Sequence, residues 1–89
     1  MKELSLENLK FMLGDESFEK EDFLKMIQPY FKDLSRHDRT NFLFVATYGD
    51  GSKPDVTGYN TSTTINATIN SFAAKSTRTN GKWAVYELN

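Results

Sequence analysis

The chain has no cysteine, one histidine (His37) and two prolines among its 89 residues. Without cysteine there are no disulfide staples, and a lone histidine cannot build the Cys/His sets that hold structural zinc. The turn around Gly49-Asp50-Gly51 and Asp55 lacks the spaced carboxylates and closing glutamate of a calcium loop. Gly49 and Gly51 are not followed by the Gly-Lys-Ser/Thr run of a phosphate loop or by a dinucleotide-type third glycine. No cofactor and no metal are expected.

Long apolar runs are missing too. None approaches the roughly 18 consecutive residues that a membrane span needs. Between Met1 and Leu13, Lys2, Glu3, Glu7 and Lys10 interrupt the apolar residues, so neither a secretory leader nor a membrane partner is expected. Asn60-Thr61-Ser62 and Asn66-Ala67-Thr68 have the form of glycosylation acceptors, but without a leader they read as coincidence in a Thr- and Asn-rich stretch. A cytoplasmic location is the expectation.

Negative charge is scarce in one place: no Asp or Glu occurs from Val56 to Tyr86. Residues 1–34 carry eight acids against five lysines, whereas residues 35–89 carry four acids against six Lys and Arg. The net charge of −1 conceals this split.

The chain does contain seven Phe, four Tyr and one Trp, enough for the core of one small domain spanning residues 1–89. Ser5 as a cap, Leu6, Leu9 and Leu13 at helical spacing, and Gly14 as a stop predict a first helix. Ser17 caps a second helix, with Glu19, Glu21 and Asp22 early and Lys25 and Lys32 late, the order favoured by the helix dipole. Leu24, Ile27, Phe31 and Leu34 form its seam, and Pro29 breaks or kinks it. Residues 1–34 thus read as an acidic helical hairpin.

Residues 35–50 fit two readings. Ser35 and Asp38 resemble a capping box that starts a helix from Arg36 to Tyr48, while Phe42–Tyr48 has a strand-like composition ending in a Gly-Asp-Gly turn. The polar lead-in favours the helix. From Thr61 to Ala74, Ile65, Ile69, Phe72 and Ala73 lie on one helical face, against a competing Thr-rich alternation. Thr77-Arg78-Thr79, Asn80-Gly81 and Lys82–Leu88 read as a β-hairpin, because Asn-Gly readily takes the positive angles of a two-residue turn.

Catalysis is the least supported class, and no enzyme is expected. Ser35, His37 and Asp38 could be written as a triad, but neighbours at a helix start point apart, whereas a triad must converge. The carboxylates at Glu19, Glu21 and Asp22 read as a solvated helix start.

A polar helix, a basic Asn-Gly hairpin and an aromatic closing strand together resemble the second half of a winged helix-turn-helix DNA-binding domain, over residues 35–88. Thr57–Ile65 resembles the turn and start of its recognition helix, with Ser52 to Thr57 left for the preceding helix. The resemblance implies an α+β fold: an N-terminal helical hairpin, then a winged-helix-like unit ending in the Asn-Gly β-hairpin. It also implies a DNA-binding regulator. Thr63, Thr64, Asn66 and Asn70 would face the groove, and Lys75, Arg78 and Lys82 would touch phosphates. The rival is a protein-binding inhibitor or adaptor, with Phe11, Phe18, Phe23 and Tyr30 as a contact surface or homodimer seam.

Overall fold

Five apolar residues in a row, Phe42–Ala46, form a strand (β2) with both faces covered. The computed structural model describes residues 4–34, 40–60 and 69–88. In chain order the other elements are β1 (Leu9–Gly14), α1 (Lys20–Ile27), α2 (Phe31–Leu34), β3 (Asp55–Tyr59), α3 (Asn70–Arg78) and β4 (Trp83–Leu88). The strands make one four-stranded sheet in the order β1-β4-β2-β3, with every neighbouring pair antiparallel.

Alternation along β2 and β4 divides the core in two. Leu43, Val45, Ala84, Tyr86 and Leu88 face α1, which buries Phe23 and Ile27 one turn apart. Phe44, Ala46 and Val85 face the opposite way and pack with Tyr48, Tyr59, Ile69 and Phe72, the last on α3. Fully burying each such Leu, Val or Phe side chain contributes about 1.5–3 kcal/mol. Helices thus cover both sides of the sheet.

The α+β class holds, but the helical hairpin with a winged-helix unit does not. Residues expected as a first helix form a 3-10 turn, Leu6–Asn8, followed by β1. Ser5 makes no side-chain cap. Leu9-x-Phe11-x-Leu13 satisfies a strand period as well as a helical one, and pairing with β4 decides between them: Leu9 opposes Leu88, and Phe11 opposes Tyr86. The register then slips at Met12, so Leu13 opposes Val85 and joins the second core.

The expected helix 36–48 is replaced over Phe42–Ala46 by a strand, because a central strand buried on both faces shows no alternation. Its supposed capping box, Ser35 to Asp38, lies outside the described residues, as does His37. Instead of a helix, Ser52–Thr57 enters β3, whose Asp55–Tyr59 run alongside β2.

Asn80-Gly81 is no hairpin turn. Asn80 is left-handed, with φ 61°. The Gly81 N–H donates to the Ser76 carbonyl at 2.8 Å and the Asn80 N–H to Thr77 at 3.2 Å, the paired bonds that close a helix. Thr77 and Arg78 are therefore the last turn of α3 rather than a strand. Helix caps and tight hairpins want the same positive angles, so the dipeptide alone does not separate them.

The second expected helix is present as α1, broken at Pro29 into a 3-10 turn, Gln28–Tyr30, and α2. Ser17 does not cap it: the Ser17 N–H and hydroxyl both donate to the Asp15 carboxylate, at 2.9 and 2.7 Å. Among the described residues, no helix is long and apolar enough to cross a membrane.

Candidate functional site

Among the described residues, β1 is an edge strand, paired to β4 on one side. Its Leu9 is buried, yet Phe11 and Met12 keep 36% and 37% of their surface exposed. Phe11 meets Tyr86 edge-on at 5.6 Å, Tyr86 meets Phe23 at 4.5 Å, and Phe23 meets Phe18 at 5.8 Å. These four rings run from the surface into the first core. Of the predicted contact aromatics, Phe18 and Phe23 are therefore core residues, while Phe11 and Tyr30 (44% exposed) remain at the surface.

Burial pushes the Tyr86 hydroxyl above its usual range, and the charges of Glu21 and then Glu19 push it further. Both glutamates are exposed, Glu21 in the first turn of α1 and Glu19 just before it. Lys10 and the bulge at Met12 are features that blunt a strand edge against pairing. The side chains of this edge are better suited to contact than its backbone.

The predicted nucleic-acid residues are distributed differently. Thr63, Thr64 and Asn66 lie outside the described residues. Asn70 and Arg78 are exposed on α3, at its first and last residues. The Lys75 ammonium sits 4.3 Å from the centroid of the Tyr48 ring. Lys82 Nζ donates to the Ser17 carbonyl at 3.2 Å.

Folding also brings acids beside these bases. Asp50 is held below the usual carboxylate range chiefly by hydrogen bonds from Ser52, with Lys75 adding to the effect. Asp15 is held down chiefly by Ser17, with Lys82 adding. The stretch without acids in sequence is thus not without them in space. Two of its bases have a carboxylate nearby, which weakens a phosphate-binding field.

Two open clefts border Lys82. One, about 430 Å³, lies between Asp15 and Trp83 and the end of α3 at Thr77 and Asn80. The other, about 390 Å³, has Phe18 and Met26 as apolar lining and Glu19, Asp22 and Lys25 around them. Among the described residues, no group of three His, Cys, Asp or Glu side chains is placed to hold a metal ion.

Sequence reasoning picked out Phe11 but missed Met12 and Tyr86 as its neighbours. Their only signal was the pairing of the chain's first strand with its last, which a local pattern does not carry. No family model matches the chain, and comparison with curated proteins and with solved structures gives no significant match.

Proposed function

We propose that this domain is a non-catalytic protein-binding module that holds its partner against the β1 edge through Phe11 and Met12. One observation carries this: two adjacent large apolar side chains stand exposed on an edge strand, backed by a buried aromatic series. Scattered exposed apolar residues are ordinary, but an adjacent pair at the bulge of a paired strand is a ready-made anchor. Covering both side chains contributes on the order of 2 kcal/mol, a useful part of a modest interface.

The test compares Phe11→Ser/Met12→Ser with Lys75→Ala/Arg78→Ala/Lys82→Ala in affinity capture from the native host, with and without nuclease. Circular dichroism verifies folding. The expected result is a nuclease-resistant complex lost only in the first variant. A nuclease-sensitive complex lost only in the second overturns the proposal and restores nucleic-acid binding.

A further inference from the structure

We infer that Asn80 is a site of spontaneous deamidation and isomerisation, held in check by the hydrogen bonds that close α3. The chemistry is independent of what the domain binds.

The fold itself calls for a reactive pair at this turn. Asn80 is left-handed, with φ 61°, a conformation that favours Gly or Asn over other residues. Position 81 has room only for glycine, because a Cβ there would lie 1.9 Å from the Thr47 carbonyl oxygen. A glycine has no side chain to hinder the approach of its own nitrogen to the amide before it. No other asparagine in the chain is followed by glycine.

In the reaction, the Gly81 backbone nitrogen gives up its proton and attacks Asn80 Cγ. A succinimide ring forms as the Cγ–Nδ2 bond breaks, and ammonia leaves with that proton. Water then adds at either ring carbonyl. Opening at one gives aspartate, and opening at the other gives isoaspartate, whose backbone runs through the side-chain carbons. The net change is amide plus water to carboxylic acid plus ammonia. Asn80 is exposed and lines the open cleft beside Asp15 and Trp83, so water reaches it.

The folded state opposes the first step. The Gly81 N–H donates to the Ser76 carbonyl at 2.8 Å, so the proton that must leave is held in a helix-closing bond. Turning that nitrogen towards Cγ would also disturb the contact with Thr47, whose hydroxyl oxygen accepts the Lys82 N–H at 2.8 Å. Thr79 fastens the same turn. Its hydroxyl donates to the Lys75 carbonyl at 2.8 Å and accepts the Gly49 N–H at 3.1 Å. Attack therefore requires the end of α3 to open, and such openings are a minor population in an anchored turn. The products differ in their fit. Aspartate keeps the backbone intact, whereas isoaspartate inserts an extra backbone atom next to a glycine that has no space even for a Cβ.

The experiment incubates the whole protein in mildly alkaline buffer, folded or in urea, and maps the mass gain of deamidation by peptide mass spectrometry. Wild type is compared with Thr79→Ala and Thr47→Val, each checked for folding by circular dichroism. In urea, Asn80 is expected to be the first asparagine converted. The folded protein should convert it at least about tenfold more slowly, since reaction is confined to locally opened molecules. Thr79→Ala should speed folded-state conversion roughly two- to tenfold, through loss of a hydrogen-bonded side chain, and leave the rate in urea unchanged. Thr47→Val makes the same comparison if Thr79→Ala does not fold.

Conversion of Asn80 as fast in the folded protein as in urea overturns the inference. So does faster conversion of any other asparagine in urea, or a folded-state rate that neither variant changes.

Discussion

The Tyr48 hydroxyl donates a hydrogen bond to the Asp55 carboxylate, tying the end of β2 to the start of β3. Tyr48 is buried and Asp55 half-buried, so neither polar group is freely solvated. Burial, followed by the Asp55 bond and the charges of Asp55 and Asp50, pushes the phenol well above its usual range. A raised folded-state value means that the stability this group contributes is complete below the unfolded value near 10 and is lost as pH rises through the folded one. Tyr48→Phe should therefore cost about 1–2 kcal/mol at neutral pH. The difference from wild type should shrink in urea titrations run above pH ~10. A constant difference across that range would rule out the linkage.

The close approach of two turns gives a sharper structural test. A Cβ on Gly81 would lie 1.9 Å from the Thr47 carbonyl oxygen, and a Cβ on Gly49 1.9 Å from that of Thr79. Both obstacles are backbone atoms, and the first belongs to a segment just past β2 that is tied in place: the Thr47 N–H donates to the Lys82 carbonyl at 2.7 Å. Gly81→Ala has to push two packed segments apart and should cost about 3 kcal/mol or more. Gly51 meets nothing within 4 Å but has φ +85°, so Gly51→Ala should cost only the left-handed strain of about 1–2 kcal/mol. Equal losses at the two sites in thermal melts would contradict this packing.

What the sequence made legible was local chemistry. The dipole-ordered charges of α1, the break at Pro29 and the strand Trp83–Leu88 could be read directly because each depends on residues within a turn or two. Phe42–Ala46 and Leu9–Gly14 could not. The first is buried on both faces and shows no period. The second is settled by partners at the far end of the chain. Asn80-Gly81 was legible as a left-handed step but not as the end of a helix, since that depends on the preceding Ser76 and Thr77 already being helical. For the candidate site, exposed Phe11 and buried Phe23 are indistinguishable by composition, and only sheet order separates them.

The turn that launches α1 should respond to acid. Asp15 accepts from the Ser17 N–H and hydroxyl, and its carboxyl is held below the ordinary range by those bonds. A depressed folded-state value contributes stability above the unfolded value of about 4, and that contribution is lost as pH falls through the folded one. Asp15→Asn should therefore melt earlier than wild type at neutral pH, with the gap closing in acid. Ser17→Ala should reproduce the same trend because it removes the hydroxyl donor. A melting gap that persists unchanged into acid would mean that the turn does not depend on the ionised carboxylate.

Ser76 offers a substitution expected to stabilise. It is fully buried on the sheet-facing side of α3, and its hydroxyl oxygen has no hydrogen-bond partner. Its backbone carbonyl is a separate matter, since it accepts the Gly81 N–H and does not depend on the side chain. Ser76→Ala removes an unsatisfied buried polar group and gains helix propensity, so stability should rise by about 1 kcal/mol. Ser76→Val adds volume where the helix lies against the sheet and should lower stability by roughly 1–3 kcal/mol. Urea midpoints measured on the three proteins decide the point. A Ser76→Ala protein less stable than wild type would show that the hydroxyl is satisfied in solution.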